Sequence, residues 1–279
     1  MEIIITENTI SEFIHNLKED EKSEATIEKY SSILRKLMLW LGGKSFDKQK
    51  LADYRDYLLK TRTASTVNGV LSAVNFWMTY AGIEGCRIRH LKVQRRAFCS
   101  VKKEISRSEY NKLLSTAKRH GNERLYYAME TICSVGIRAS ELKYITVEAV
   151  ERGRADIDLK GKNRTILLPE KLCRKLKRYA GKHKIMSGPV FLTRNGNALS
   201  RKQVWAEMKS LCSSTNVDAE KVFPHNLRHL FARCFYKATH DVAKLADVLG
   251  HSSMETTRIY LATSGEEHVR VLDSLRLVL

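Results

Sequence analysis

The chain has 279 residues, enough for one large domain or two smaller ones, and a 43% hydrophobic content that can fill a core, which excludes a disordered polymer. Its 49 Lys and Arg against 31 Asp and Glu leave a formal net charge of +18, pointing to nucleic acid or an anionic surface as partner. No apolar run reaches the ~20 residues that cross a bilayer, and the acidic start MEIIITENTISEF resembles neither a signal nor a transit peptide, so a cytoplasmic protein is expected.

Only three prolines occur and helix formers are abundant, so the chain should be mainly α. Thr9-Ile-Ser-Glu12 has capping-box spacing and predicts a first helix from about residue 10. Ser23 opens a second, in which Ile27, Tyr30, Leu34, Leu37, Met38 and Leu41 form one apolar stripe ended by Gly42-Gly43. Leu51, Tyr54, Tyr57 and Leu58 suggest a third helix, and residues 64–81 a fourth with Val67, Val70, Leu71, Val74 and Met78 inward. These make a four-helix N-terminal domain over residues 1–92. The basic stretch 93–104 lacks an apolar period and reads as a linker, either laid along phosphate or simply a solvated loop; Arg95, Arg96, Lys102 and Lys103 are its candidate DNA contacts.

Ser106-Arg-Ser-Glu109 is another capping box and opens a second domain over residues 105–279. Residues 1–100 hold 16 Lys and Arg against 12 Asp and Glu, and the remainder 33 against 19, so most anion contacts belong to the second domain. Helices are expected at 110–120 and 123–134, with a break at Val135-Gly136-Ile137 before a short helix opened by Arg138. Residues 145–150, 155–159 and 164–168 read as three short strands, the last two joined by the turn Lys160-Gly161-Lys162-Asn163. Further helices are expected at 170–182, 200–214, 225–239, 241–249 and 252–261, and an amphipathic tail carries Val269, Leu272, Leu275 and Val278 on one stripe. The six cysteines form no CxxC pair and give no zinc or redox signature.

Three segments carry candidate chemistry. Pro224 suits a first helical turn and puts His225 and Arg228 beside each other at i and i+3, as two donors to one anion require. Leu249-Gly250-His251-Ser252 holds His251 in a corner between two helices, and Tyr260 lies nine residues on. Each alone is ordinary: a helix edge, a structural histidine, a core tyrosine.

Together, HNLRHLFA, LGHSSMETTRIY and GIRASEL closely resemble the signature boxes of the tyrosine recombinases, the phage integrase family that includes Xer-type enzymes. The resemblance covers the whole chain. It implies a SAM-like core-binding domain and a mixed α+β catalytic domain of the DNA breaking-rejoining type with a small three-stranded antiparallel sheet. It makes Arg138 and Arg228 the catalytic arginines, His225 the histidine between them, His251 the residue that is His or Trp in relatives, Tyr260 the nucleophile and Glu141 the buttressing acid. LKGKNRT is shorter than the usual GKGNKxR, so Lys160, directly before Gly161, is preferred as catalytic lysine and Lys162 is the alternative.

The implied activity is site-specific recombination of double-stranded DNA through a 3′-phosphotyrosine, with no metal, cofactor or ATP. The implied assembly is a homotetramer on synapsed sites, monomeric or weakly associated without DNA and nucleoid-associated when bound. Arg62, Thr63, Ser65 and Asn68, at the start of the fourth helix, are candidate DNA contacts or ordinary caps. Two rival activities remain at this point: a type IB topoisomerase-like nicking and resealing, and a DNA-binding regulator that keeps the fold without the reaction.

Overall fold

The computed structural model describes residues 4–93, 104–159, 162–251, 253–258, 260 and 273–275. They form two compact units that divide between Arg95 and Arg96, and most of the described chain is helical.

The first unit holds α1 (Glu7–Glu19), α2 (Glu24–Leu41), α3 (Lys48–Leu59) and α4 (Ala64–Tyr80). α1 starts earlier than the Thr9–Glu12 pattern predicts, because Thr6 is its N-cap and Thr9 is the third residue of the helix. The Thr9 amide donates to Thr6 Oγ1 at 3.3 Å and the Thr6 amide to Thr9 Oγ1 at 3.1 Å. On α2, Ile27, Leu34, Leu37 and Leu41 face inward, and Gly42 ends the helix at φ 60°, a conformation that suits glycine. They pack with Phe13, Leu17, Leu51, Leu71 and Trp77 in one core.

Two asparagines on α4 tie down the chain that follows it. Asn75 donates to the Ile88 carbonyl at 2.8 Å and accepts from the Ile88 amide at 3.1 Å. Asn68 does the same with Leu91, at 2.9 and 2.8 Å. A carboxamide offers both a donor and an acceptor, so each asparagine satisfies the N–H and the C=O of one residue. Ile88 is buried by this arrangement, while Arg87, Arg89 and Lys92 stay exposed.

The second unit contains α5 (Arg107–Arg119), α6 (Glu123–Val135), a 3₁₀ turn (Ala139–Tyr144), α7 (Val147–Arg152), β1 (Arg154–Leu159), β2 (Lys162–Leu167), α8 (Glu170–Lys182), α9 (Arg201–Ser210), α10 (Pro224–Thr239), α11 (Val242–Leu249) and α12 (Met254–Arg258). α5 opens on the expected capping box, with the Glu109 amide 3.1 Å from Ser106 Oγ and the Ser106 amide 2.7 Å from Glu109 Oε2. Its core joins Leu125, Met129 and Ile132 of α6 to Leu227 and Leu230 of α10, Val204 and Met208 of α9, and Ile157 and Ile166 of the hairpin.

The sheet has two strands among the described residues, not three. The stretch 145–150, rich in Ile and Val, was expected to extend but is mostly α7. Thr146 accepts from the Ala149 amide at 3.1 Å, and Gly153 terminates the helix at φ 71°. Caps at both ends outweigh the strand preference of the four β-branched residues Ile145, Thr146, Val147 and Val150. Thr146 keeps only an isolated bridge to Pro189. α9 also ends early, at Ser210, followed by a 3₁₀ turn at Cys212–Ser214.

β1 and β2 pair antiparallel with Ala155 opposite Ile166 and Ile157 opposite Arg164. Ala155, Ile157 and Ile166 are buried, so the period of two places Arg164 on the inward face beside them. In the tail, Leu275 is exposed, and Val269, Leu272 and Val278 lie outside the described residues. Among the described residues no helix is long and apolar enough to cross a membrane.

Candidate active site

The site is assembled where three helix ends meet the 3₁₀ turn and the hairpin. Pro224 occupies the first turn of α10, where its missing amide hydrogen costs nothing. One turn later Arg228 points into the protein and is only 1% exposed. Its Nη1 donates to the Gly136 carbonyl at 2.7 Å, at the end of α6, and its Nη2 to the Leu249 carbonyl at 2.8 Å, at the end of α11. Helix C-termini leave carbonyls unpaired and partly negative, so one guanidinium fastens two of them. Gly136 has φ +67°, and a Cβ there would lie 2.3 Å from the Phe231 ring. Both backbone and space therefore demand glycine.

Glu141 is the hub. It is 1% exposed and accepts from the Arg138 amide and from Arg138 Nη1, both at 2.8 Å. Arg164 Nη1 lies 3.3 Å from its Oε2, and Arg228 Nη1 4.0 Å from the same atom. One carboxylate thus faces three guanidinium groups, which leaves an excess of positive charge suited to an anion. Arg138 opens toward solvent with its side chain 45% exposed, whereas that of Arg164 is 12% exposed. Arg164 also donates from Nη2 to the Val248 carbonyl at 2.6 Å. Burial pulls its pKa down to about 10, with Glu141 opposing and Arg228 and Arg138 adding, so it stays charged at neutral pH. Arg228 is also lowered, by burial and then Arg138, against the opposing pull of Tyr260 and Glu141.

His251 Nε2 lies 2.9 Å from Arg228 Nη2, and its Nδ1 lies 2.9 Å from Thr257 Oγ1. A guanidinium only donates, so Nε2 must accept, and the ring hydrogen sits on Nδ1, facing Thr257. Burial, then Arg228, Arg138, Arg164 and His225, pushes the His251 pKa down to about 4. His225 stands at the rim of the site, its pKa lowered by partial burial and then by Arg228, Arg138 and Arg201. Both imidazoles are therefore neutral at pH 7.

Tyr260 is 5% exposed and its amide donates to the Thr257 carbonyl at 3.0 Å. Its ring centroid lies 4.3 Å from that of His229, 5.5 Å from His251 and 5.8 Å from His225. A cleft of about 530 Å³ opens beside this cluster, lined by Arg138, Ser140, Arg201, Trp205, His225 and Arg228 among others. A larger cavity of about 750 Å³, between Asn122, Arg124, Asn195 and Glu207, holds none of the candidate residues. Among the described residues no group of three His, Cys, Asp or Glu side chains is placed to hold a metal ion.

The structure therefore gathers Arg138, Glu141, His225, Arg228, His251 and Tyr260, which are dispersed over more than 120 positions of the chain. Lys160 lies outside the described residues, as does the side chain of Lys162, whose backbone opens β2. In the first unit Thr63 caps α4, accepting from the Thr66 amide at 3.3 Å, and the Asn68 carboxamide is engaged with Leu91. Arg62 and Ser65 are exposed; Arg95, Arg96, Lys102 and Lys103 lie outside the described residues. Two members of the cluster, Arg164 and His229, were not anticipated. Arg164 is signalled by strand phase, since it alternates with Ile166 and Leu168; His229 by its place four residues after His225 on α10.

The model of the phage integrase family matches residues 103–267, more than half of the chain. The chain is 27% identical over 261 residues to the tyrosine recombinase XerA of Pyrococcus furiosus, covering 90% of this chain and 88% of that protein. It is 24% identical over 264 residues to the tyrosine recombinase XerD of Vibrio cholerae, covering 88% and 87%. In fold it resembles a lambda integrase dimer bound to a COC′ core site, with TM-score 0.73 and 16% identity over 93% of this chain and 77% of that one. XerH site-specific recombinase bound to its difH substrate gives TM-score 0.71 at 18% identity, over 92% and 81%. The chain belongs to the phage integrase family of tyrosine recombinases.

Proposed function

We propose that this enzyme is a site-specific recombinase that cuts and rejoins double-stranded DNA through a covalent bond to Tyr260. The observation that carries the reading is the convergence of Arg228, His225 and His251 on that ring, with Arg138 and Arg228 facing one buried carboxylate. Arg138 and Arg228 bind the nonbridging oxygens of the scissile phosphate, where charge grows in the transition state. Tyr260 Oη attacks phosphorus as His225, neutral at pH 7, takes its proton. The bond from phosphorus to the 5′ oxygen breaks, and the lysine of the hairpin turn, Lys160 or Lys162, protonates that oxygen. The product is a 3′-phosphotyrosine and a free 5′-hydroxyl. Attack by a 5′-hydroxyl from another strand reverses each step, so no ATP is consumed.

His251 donates to a phosphate oxygen once its hydrogen moves to Nε2. The Thr257 hydroxyl permits this, because it can turn from acceptor to donor toward Nδ1. The helical first unit serves as the core-binding half of a clamp on DNA, with Arg62, Ser65, Arg87, Arg89 and Lys92 exposed for phosphate contact. Four protomers on two synapsed duplexes complete the exchange. Likeness to chains solved on DNA, including a lambda integrase tetramer on a Holliday junction, supports this assembly.

The test is a nicked suicide duplex built on the DNA segment that the protein protects. A covalent adduct that Tyr260→Phe abolishes is expected. Retained binding with no adduct indicates a regulator, and an adduct with relaxation of supercoils but no joined products indicates a topoisomerase.

A further inference from the structure

His229 is absent from the mechanism above, yet its ring lies nearer to that of Tyr260 than the rings of His251 and His225 do. The two centroids are 4.3 Å apart at an interplanar angle of 45°. His225, one turn earlier on the same face of α10, meets His229 edge to face at 4.9 Å and 83°. The phenol is thus set between the imidazoles of α10 and that of His251, whose plane lies within 22° of its own. Beneath it are Ala232, Leu245 and Leu249, with Phe231, Phe235 and Tyr236 around them.

The Nδ1 of His229 is buried and has no hydrogen-bond partner among the described residues. Such a nitrogen costs free energy that an apolar side chain of similar shape would not. A hydrogen bond from that atom does not account for the residue; its contacts with rings do. Burial, then the charges of His225, Arg233 and Arg228, drives its pKa down to about 4, so it presents a neutral face. Flat, neutral rings hold a phenol in offset or tilted packing while leaving its hydroxyl free.

We infer that His229 is a positioning residue for the nucleophile: its ring is the platform on which Tyr260 docks, and it fixes the angle at which Oη meets the phosphate. The inference rests on Tyr260 being the nucleophile. Its ring contacts are with the attacking residue and with His225, the base, so it acts on attack and not on departure of the 5′ oxygen. Small errors in that approach are costly, since misplacement by about 1 Å can slow a reaction ~100-fold.

The experiment measures single-turnover adduct formation at saturating nicked duplex for wild type, Tyr260→Phe, His229→Ala, His229→Gln and His229→Phe. Each is run with the natural phosphodiester and with a 5′-bridging phosphorothiolate, whose leaving group needs no proton. Removing the ring in His229→Ala and His229→Gln is expected to slow adduct formation about 10- to 100-fold on both linkages, with DNA affinity within about twofold of wild type. His229→Phe restores a plane without nitrogens and is expected to recover to within about threefold. The inference is overturned if Gln reacts like wild type, if Phe is as slow as Gln, or if the defect disappears on the phosphorothiolate. Should His229→Ala fail to fold, the Gln and Phe pair decides. Absence of a Tyr260-dependent adduct in wild type would instead overturn the proposed function.

Discussion

Arg164 reaches from the inward face of β2 to the carbonyl of Val248, 2.6 Å away, three residues before His251. The same guanidinium touches Glu141 through Nη1. It therefore joins the hairpin, the hub carboxylate and the corner that holds His251. Arg164→Ala should slow adduct formation by about 10- to 100-fold at saturating DNA while leaving affinity nearly unchanged. Arg164→Lys should recover little, because an ammonium cannot span two acceptors as a planar fork does. Single-turnover cleavage beside a binding titration checks both.

Gly250 passes directly over that arginine. It has φ +64°, and a Cβ there would lie 2.3 Å from Arg164 Cδ. Gly250→Ala should destabilise by ~2–4 kcal/mol, combining left-handed backbone strain with displacement of a buried cation. Gly121 has φ +69° and open space around the same position. Gly121→Ala should therefore cost only about 1 kcal/mol, from strain alone. Urea unfolding of the two variants separates clash from strain.

Glu141→Gln keeps the shape of the hub but removes its charge, leaving Arg138, Arg164 and Arg228 to repel one another. Loss of one partner in a buried ionic cluster typically costs ~3–5 kcal/mol. The variant should unfold earlier in denaturant, and millimolar sulfate or phosphate should return part of the loss by binding among the guanidinium groups.

Stability should also depend on acid. His229 and His251 fall from an ordinary 6.5 to about 4 in the folded protein. The unfolded chain therefore binds more protons between those values, and stability rises with pH across that window. It is fully present above about 6.5 and is lost as pH falls toward 4. His229 is faced by His225, Arg233 and Arg228, and His251 by Arg228, Arg138, Arg164 and His225. Melting temperature measured from pH 7.5 to 4 should drop, and His229→Phe should flatten the curve.

Much of this was legible in the chain because local rules set it. The apolar spacing of Ile27, Leu34, Leu37 and Leu41 and the Ser106–Glu109 cap define helices without reference to anything distant. The strand expected at 145–150 failed because Thr146, counted within the strand, is a helix N-cap, and Gly153 closes the same helix three residues past the expected end. Glu141 was foreseen as a support, but not as the hub of three arginines, since Arg164 and Arg228 reach it only through the hairpin and α10. His229 was invisible for a similar reason: a second histidine on a helix gains meaning only when the ring it faces is known.

Arg228 spends most of its hydrogen-bonding capacity inside the protein. Nη1 and Nη2 are engaged by two peptide oxygens and an imidazole, and only its Nε is without a partner among the described residues. On the proposed function, a DNA phosphate must compete for this guanidinium with contacts already formed. What it gains is the difference between two sets of charge-assisted bonds, not the whole of one. On the same reading, grip on the duplex comes mainly from the wider basic surface, and Arg228 serves the reaction more than the binding.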